Sequence, residues 1–452
     1  MMTKKIINNY FLSILSLIPI AFVLGSSASL INILIINLSF IFLIIYKSEW
    51  GWIKNSNIRI LLFLYIYLIF NSFISLDSNL NYLRNFGFIR FIILFAGINY
   101  LFYTYKNLDN VFKFWTIIIL ILAIDVFIER ISGTNIIGYG AIEINGVPQP
   151  DGRRVMSFFR DEAIVGGFIL SFGLIISGFI MSNFDDYNKK KKILFLILIF
   201  IIFSSIILTG ERSSSVKAIV SFGLFFLLYK NIQLKKKIIF FLSISLFFLL
   251  IIFNNDYLKN RFFQQTIVSV KNIGDFFDPN VVFKGTIQSG AIDKELSNSL
   301  KPSSDLYIML YKSGFEIFKN YPYFGVGSKN YRIEACVDKK KYAGIIDNVE
   351  RYLCLTHPHQ IYFELLSEHG IIGTIIILSL IFILLFRIFK KLYITNNYIG
   401  LGCFCYLITF FIPFLPSGSF FSDFSISIFF FNLSIMYASS SKTNIFFDSK
   451  QK

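Results

Sequence analysis

The chain has 452 residues, of which 55% are hydrophobic and only 15% are charged, and its mean hydropathy is +0.65. Because an average soluble domain carries about 25% charged residues, this composition excludes a water-soluble enzyme, and it excludes a disordered chain and a coiled coil as well. An apolar span of about 20 residues crosses a bilayer core of about 30 Å, so a chain of this length has room for roughly a dozen spans.

Hydropathy divides the chain into about twelve apolar stretches. They are Tyr10 to Leu24, Leu30 to Tyr46, Ile58 to Ile74, Phe86 to Tyr103, Val111 to Ile128, Ala163 to Met181, Ile193 to Thr209, Ser214 to Tyr229, Ile238 to Phe253, Gly370 to Phe386, Tyr398 to Pro413 and Phe420 to Tyr437. The sequence therefore predicts an all-α polytopic integral membrane protein with about 12 transmembrane helices. The first stretch follows two lysines and ends in small residues, so a cleaved signal peptide is the alternative to a retained span.

The formal net charge of +16 raises the question of a nucleic-acid partner, which the positions of the basic residues answer. If both termini lie in the cytoplasm, the inner loops hold 21 of the 43 Lys and Arg residues, including the lysine runs at 189–192 and 235–237. The same loops hold only five acidic residues, so the whole excess of positive charge is cytoplasmic. This is the positive-inside pattern, and anionic inner-leaflet lipid explains the basicity without any nucleic acid.

Two predicted outer loops are much longer than the other connections. The predicted organisation is nine spans over residues 1–253 with an outer loop at about 129–162, a large periplasmic loop over 254–369, and three spans with a cytoplasmic tail over 370–452. A connection of roughly 115 residues is far longer than usual, and such loops are functional or form a small domain. Helical spacing over Asp305 to Phe318 and turn residues at 320–327 predict short helices joined by turns within it.

Two of the four cysteines, Cys336 and Cys354, lie in this large loop. A disulfide between them would close a loop of about 18 residues and contribute on the order of 3 kcal/mol in an oxidising compartment. Two free thiols are the alternative. Cys403 and Cys405 lie in an apolar span, and we interpret them as packing residues.

All three histidines, His357, His359 and His369, lie within 13 positions at the end of the large loop. A helix that begins near Pro358 would place Glu364 on its polar face and His359 at its start. Histidine is a base near neutral pH, and a helix N-terminus attracts phosphate, so this pattern favours a catalytic or binding histidine. The alternatives are a purely structural role and a zinc site made by His357, His359 and Glu364, whose spacing matches no common zinc pattern.

Two further groups of ionisable residues fall on the predicted outer side. Arg153, Arg154 and Arg160 precede the sixth span, where guanidinium groups suit an anionic head group because they bind phosphate with two hydrogen bonds. Interfacial anchoring through local salt bridges is the alternative. The turn before the eighth span adds Glu211 and Arg212, which either pair with each other or face a ligand. The concentration of all three groups on one side predicts an active site facing away from the cytoplasm.

Three motifs connect these residues. The segment 359–373 is similar to a signature of His-Asn, an apolar residue, an acid and Gly-x-x-Gly, with Gln360 for the usual asparagine and Phe363 for the usual leucine. Residues 321–331 are similar to a Pro-x-x-Gly-x-Gly stretch, and residues 209–213 to a Thr-Gly-Ser-Arg turn that here has glutamate for serine. Together the motifs resemble those of the O-antigen ligase and polymerase family of bacterial envelope glycosyltransferases.

The resemblance implies a glycosyltransferase of the bacterial inner membrane whose active site faces the periplasm. Such proteins transfer an oligosaccharide from undecaprenyl pyrophosphate to an acceptor glycan without a metal or a nucleotide sugar, so no cofactor is expected. By this resemblance Arg212 would stabilise the pyrophosphate leaving group, and His359 would position or deprotonate the acceptor hydroxyl. Other charged and polar residues on the predicted outer side are expected to contact the substrate. The expected substrate-binding residues are Arg153, Arg160, His357, Glu364 and Glu211.

The sequence is compatible with several functions. A polymerase of O-antigen or another surface polysaccharide is preferred over a ligase that transfers O-antigen to the lipid A core. The expected partners are the carrier-linked glycan donor, the glycan acceptor and membrane lipid, and a chain-length regulator is a further candidate. A flippase or other transporter of lipid-linked oligosaccharides is the alternative from another class, and a structural subunit without chemistry is a third.

Overall fold

The computed structural model describes residues 4–105, 108–140, 142–144, 147–149, 154–160, 162–267, 304–337 and 355–448. These residues are mostly helical. The helices before the first long loop are α1 (Lys4–Ser16), α2 (Ile18–Leu24), α3 (Ser26–Lys47), α4 (Ser56–Phe73), α5 (Ser78–Gly87), α6 (Ile89–Thr104) and α7 (Asp109–Ser132). The later helices are α8 (Val165–Ser182), α9 (Lys189–Leu208), α10 (Arg212–Leu228), α11 (Leu234–Phe253), α12 (Asp256–Lys259), α13 (Ser304–Asn320), α14 (Tyr331–Val337), α15 (Ile361–Ile394), α16 (Tyr398–Ile408), α17 (Asp423–Ala438) and α18 (Ile445–Asp448).

Short helical turns and one β-hairpin lie between these helices. Single turns of 3₁₀-helix cover Trp50–Lys54, Ser157–Phe159 and Thr409–Phe411, and a π-helical turn covers Asn260–Gln264. A two-stranded antiparallel hairpin joins β1 (Ile142–Ile144) to β2 (Val147–Gln149), with Ile142 opposite Gln149. The all-α prediction therefore holds for the bundle but omits this hairpin, which lies within the segment predicted to be the first outer loop.

The helices support a multi-pass membrane protein, although the predicted number of spans is not confirmed. Each of the predicted apolar stretches overlaps a helix. Seven of the described helices are long and apolar enough to cross a membrane. Three further apolar segments, Asn9–Leu24, Tyr398–Phe411 and Asp423–Ala438, are shorter. The first of these is divided into α1 and α2, because Pro19 at the start of α2 cannot continue the hydrogen bonding of a preceding helix.

Helix α3 shows how the bundle meets lipid. Ile36 and Phe40 on one face are each 1% exposed, whereas Leu38 and Phe42 on the other are 66% and 68% exposed. Exposed side chains this apolar are unfavourable in water and favourable in a bilayer. The outer face of α3 is therefore a lipid-facing surface.

Helix α8 lies at the centre of the bundle, where most of its residues are buried. It packs closely against α16 through glycines. A Cβ atom at Gly178 would lie 2.4 Å from the carbonyl oxygen of Tyr398, and one at Gly402 would lie 2.3 Å from the carbonyl oxygen of Leu174. Small residues allow this close backbone approach between membrane helices, and the pairing holds α8 and α16 behind the site described below.

Helix α15 bends at Gly370, whose φ is +63°. The turn at residues 321–328 docks on the bend and bonds to the backbone groups of the helix there. The four hydrogen bonds run from the amides of Val326, Gly327, Ile371 and Ile372 to the carbonyls of Ser367, Glu368, Pro322 and Tyr323, at 2.9, 2.9, 2.8 and 3.1 Å respectively. Two glycine motifs that are separate in the sequence thus form one structural joint.

This joint gives a prediction for stability. A Cβ atom at Gly370 would lie 2.3 Å from the carbonyl carbon of Tyr323. We expect Gly370→Ala to lower the free energy of unfolding by more than about 2 kcal/mol, because the strained φ and the overlap each cost roughly 1–3 kcal/mol. Thermal unfolding of the purified protein in detergent measures this loss of stability. Gly138→Ala is the matched control, since Gly138 also has a positive φ but no atom within 4 Å of the added methyl. If Gly370→Ala and Gly138→Ala lower the free energy of unfolding equally, residues 321–328 do not dock closely on the bend at Gly370.

Candidate functional site

A cavity of about 360 Å³ lies where α8 and α10 begin, a size within the usual range of small-molecule sites. Its charged lining residues are Arg154, Glu211, Arg212, Lys217 and Arg261, and His359 and Tyr307 also line it. Four cations therefore face one carboxylate. Such a cavity favours an anionic ligand, because the excess positive charge acts across a partly buried space.

The cavity lies at the end of the bundle opposite the lysine runs. Helix α9 begins at Lys189 within the run 189–192, and its 20 residues extend about 30 Å before the turn that leads to Arg212. Helix α11 begins at the same end of the bundle as α9, and its first turn contains the second lysine run at 235–237. The two lysine runs and the Arg212 turn therefore occupy opposite ends of these helices.

Three separate segments supply the arginines of the cavity. Arg154 comes from the loop before α8, Arg212 from the first residue of α10, and Arg261 from the π-helical turn after α12. Backbone groups join the three segments. The amide of Val155 donates to the carbonyl of Thr209 at 3.0 Å, and Nε of Arg261 donates to the carbonyl of Gly210 at 3.2 Å. The turn at 209–211 is therefore the point at which the arginines are brought together.

Two acids on α7 fix the path of the loop that carries Arg154. Glu129 accepts hydrogen bonds from the amides of Met156 and Ser157 at 3.0 and 2.6 Å. Asp125 accepts one from the Ser157 hydroxyl at 2.5 Å. Ionisable groups within a predicted span favour a function, and here the contacts of both acids position the arginine loop.

The loop between α16 and α17 joins the Arg212 turn to His359. The amide of Ser417 donates to the carbonyl of His359 at 2.8 Å, and the hydroxyl of Ser213 donates to the carbonyl of Pro416. His359 itself has a φ of +54°, a strained conformation that concentrates at functional sites. Because Ser213 follows Arg212 directly, these two bonds set the imidazole and the guanidinium on one cavity wall.

His359 lies beside a second histidine in an environment that keeps it neutral. Burial, together with the neighbouring His357 and Arg154, lowers the pKa of His359 to about 4. Burial likewise lowers the pKa of His357 to about 4, with Arg332 and Arg84 contributing. The centroids of the two imidazole rings are 4.1 Å apart. At neutral pH the imidazole of His359 is therefore uncharged and able to accept a proton.

The helix that follows His359 begins at Ile361, slightly later than the predicted start near Pro358. Gln360 caps it, because its side-chain oxygen accepts hydrogen bonds from the amides of Tyr362 and Phe363 at 2.7 and 3.1 Å. The glutamine that replaces the expected asparagine thus provides an amide oxygen at the helix N-terminus.

The two predicted carboxylates of the site bond to the chain itself. Glu211 accepts hydrogen bonds from the amide of Gly166 at 2.9 Å and the hydroxyl of Ser214 at 2.6 Å, which holds the start of α8 against α10. Burial raises the pKa of the Glu211 carboxyl, while these two bonds oppose the shift. Glu364 does not line the cavity. It accepts from the hydroxyl of Ser419 at 2.5 Å and the amide of Phe420 at 2.9 Å.

Other predicted residues lie elsewhere. Arg160 is exposed, with its guanidinium 5.9 Å from the ring centroid of Tyr139, and it does not line the cavity. Arg153 lies outside the described residues. Cys336 is disulfide-bonded, and because Cys354 lies outside the described residues, the pairing of the two stays a prediction. Cys403 and Cys405 are buried free thiols, in agreement with a packing role.

The zinc alternative gains no support from the described ranges, in which no group of three or more His, Cys, Asp and Glu side chains is arranged to hold a metal ion. Lys217 and Arg261 line the cavity although the sequence did not single them out, and Arg154 lines it as one of the three arginines that the sequence grouped before the sixth span. A lysine within an apolar span was the available signal for Lys217. Arg261 gave none, because one arginine in a long loop is ordinary.

These observations define a class: a multi-pass membrane protein with a cation-lined cavity and a neutral histidine at one end of its helical bundle. Residues 194–378 match the family described as O-Antigen ligase, a range that contains Arg212, Lys217, Arg261 and His359. The match confirms the resemblance to the O-antigen ligase and polymerase family over this part of the chain, and it implies a glycosyltransferase-like activity of the ligase or polymerase type. Curated proteins give no match to the chain.

Proposed function

We propose that the chain transfers an undecaprenyl-pyrophosphate-linked oligosaccharide to an acceptor glycan on the periplasmic face of the inner membrane, as a polymerase of O-antigen or a related surface polysaccharide. One observation carries the proposal: four cations and an uncharged imidazole line a single cavity. The cations suit a diphosphate and the imidazole suits a hydroxyl proton, and transfer from a carrier diphosphate to a hydroxyl needs both.

The cations act on the leaving group. As the bond from the sugar to the diphosphate breaks, negative charge grows on the diphosphate oxygens, and preorganised donors stabilise that charge most strongly in a partly buried site. The hydrogen bond from Nε of Arg261 to the Gly210 carbonyl holds the Arg261 side chain in place, and Arg212 is fixed in the chain as the first residue of α10. Lys217 adds a third cation deeper along α10, with its ammonium 5.0 Å from the ring centroid of Phe410.

The histidine acts on the acceptor. The acceptor hydroxyl oxygen attacks the anomeric carbon of the donor sugar and forms the new glycosidic bond. The bond between that carbon and the diphosphate oxygen breaks, and its electron pair leaves with undecaprenyl diphosphate. The hydroxyl proton passes to His359, which is neutral and able to receive it. The proposed reaction consumes no nucleotide sugar and uses no metal.

The position of the cavity supports the periplasmic side. The lysine runs at the opposite end of α9 and α11 suit the cytoplasmic surface, because basic residues are retained there and bind anionic lipid. The cavity then faces the periplasm.

Deletion of the gene separates a polymerase from a ligase. We expect the deletion strain to keep single repeat units attached to the lipid A core, because a polymerase is needed only for longer chains. Gel analysis of the surface polysaccharide measures this. A strain that loses all attached units and accumulates polymer on the carrier would identify a ligase instead, and purified protein supplied with carrier-linked glycan should then require lipid A core as the acceptor.

A further inference from the structure

A second group of polar side chains lies next to the histidine pair and outside the cavity. Its members are Arg84 on α5, Arg332 on α14, Glu368 on α15 and His357, and together they are called the Arg84 cluster. None of the four lines the cation-lined cavity. Three separate helices and the segment before α15 therefore bring charges of both signs to one place.

Each member of the Arg84 cluster has a buried polar atom without a hydrogen-bond partner among the described residues. The atoms are Nη2 of Arg84, Nε of Arg332, Oε2 of Glu368 and Nε2 of His357. Glu368 is only 2% exposed, so bulk water does not solvate its carboxylate. A buried donor or acceptor without a partner costs about 1–3 kcal/mol, and more when it is charged. Four such atoms in one cluster offer hydrogen-bonding positions to a polar ligand.

The charges of the cluster attract one another without closing into an ion pair. Arg84 interacts electrostatically with Glu368, yet these two described residues form no ion pair within 4.0 Å of the kind that joins Arg90 to Asp423. Opposite charges that are buried and near each other without a direct ion pair suit a group that both donates and accepts hydrogen bonds.

Saccharide hydroxyls fit this chemistry better than a phosphate does. A hydroxyl donates to a carboxylate and accepts from a guanidinium, so neighbouring hydroxyls of one sugar can satisfy Glu368 and Arg84 together. Glu364 and Lys329 also lie near Glu368, so the surroundings of the cluster hold charges of both signs, whereas four cations face one carboxylate in the cavity. The ring of Phe421, with its centroid 5.2 Å from the Arg84 guanidinium, adds an apolar surface of the kind that sugar rings pack against.

The cluster adjoins the proposed base. Arg332 and Arg84 act electrostatically on His357, and the His357 ring lies against that of His359. We infer that the Arg84 cluster is the binding site of the acceptor saccharide and presents its hydroxyl to His359. This inference rests on the proposed function and adds to it a second subsite with residues of its own. The donor diphosphate occupies the cavity, and the acceptor sugar is held by Arg84, Arg332 and Glu368.

Two binding probes test the inference on the full chain in lipid nanodiscs. One probe is undecaprenyl pyrophosphate. The other is the repeat-unit oligosaccharide released from the surface polysaccharide of the source cells, free of lipid and phosphate and followed by ligand-observed NMR. We expect Glu368→Gln and Arg332→Gln each to weaken oligosaccharide binding at least about tenfold, because buried hydrogen bonds to charged groups are lost. Binding of undecaprenyl pyrophosphate should change by less than about twofold in both variants.

Arg212→Gln is expected to show the reverse pattern, with weakened carrier binding and unchanged oligosaccharide binding. Glu316→Gln is the control for the charge change and should alter the binding of neither probe, because the Glu316 side chain is 40% exposed and forms an ion pair with the exposed Lys319. A variant that still binds undecaprenyl pyrophosphate is folded. If Glu368→Gln binds neither ligand, the result for Arg332→Gln is used instead, because Arg332 is partly exposed and its replacement disturbs folding less.

Failure of the acceptor site and failure of the proposed function give different outcomes. Oligosaccharide binding that is unchanged in Arg332→Gln, with carrier binding intact, overturns the acceptor site and leaves the proposed function standing. Wild-type protein that does not bind undecaprenyl pyrophosphate, or that binds it equally well as Arg212→Gln, removes the proposed function itself.

Discussion

Replacement of Arg212 by glutamine should lower the rate of glycan transfer by at least about 100-fold, because loss of one preorganised donor to a developing oxyanion has effects of this size. Arg212 is the first residue of α10 and lines the cavity together with Arg154 and Arg261. The measurement is the initial rate of polymer formation by purified protein in nanodiscs with a carrier-linked glycan. Arg212→Lys should lie between wild type and Arg212→Gln, because lysine keeps the charge but not the two-pronged hydrogen bonding.

Arg160→Gln is the matched control for this change. It removes the same guanidinium from the same predicted outer side, but Arg160 is exposed and does not line the cavity. We expect its transfer rate to stay within about twofold of wild type, as for most surface substitutions. If Arg160→Gln and Arg212→Gln reduce the rate equally, the anion contact is not confined to the cavity.

Replacement of His359 by glutamine should reduce the transfer rate by about 10²- to 10⁴-fold, the usual contribution of a general base. Binding of undecaprenyl pyrophosphate should be nearly unchanged, because the imidazole carries no charge at neutral pH. The pH profile gives a second measurement. Since the pKa of His359 is about 4, the wild-type rate should be constant from about pH 8 to pH 5 and should fall at lower pH, where the protonated imidazole can no longer accept a proton.

His357→Gln serves as the comparison for the base. His357 is close to His359 and has the same lowered pKa, but it belongs to the Arg84 cluster and does not line the cavity. We expect it to raise the KM for the acceptor and to keep the fall in rate at low pH. A His359→Gln variant that keeps this fall, or a His357→Gln variant that loses it, would assign the proton transfer to the other ring.

The positions of the helices were predictable because a bilayer requires each crossing segment to be apolar and to satisfy its own backbone hydrogen bonds. Helix lengths and interruptions were less predictable. Hydropathy predicts one span from Tyr10 to Leu24, but Pro19 divides this segment into two helices. The glycines of residues 321–327 and 370–373 were visible as motifs, yet their spacing did not reveal that the turn docks on the bend at Gly370, since this depends on backbone groups far apart in the chain.

The site was predictable in its types of residue and less so in its particular members. Arg212 and His359 stood out as an outer-side arginine in a turn and a histidine before a helix, and the structure brings them to one cavity. Arg154 lines the cavity and Arg160 does not, because hydrogen bonds to Glu129 set the path of the loop that carries both arginines. No local sequence pattern predicts these long-range bonds. The contribution of the loop at 412–422 was likewise hidden, because its bonds to Ser213 and His359 are long-range.

The excess of cations in the cavity has a consequence for turnover. In the proposed reaction, four positive side chains stabilise the diphosphate as it leaves the sugar. The same side chains also bind it after the reaction, when it is the head group of the product lipid carrier. Interactions that bind the product as strongly as the transition state do not speed the cycle, and product departure then sets kcat. We therefore expect free undecaprenyl pyrophosphate to inhibit by competing with the donor, so that the pace of glycan synthesis depends on how quickly the membrane clears and recycles its carrier.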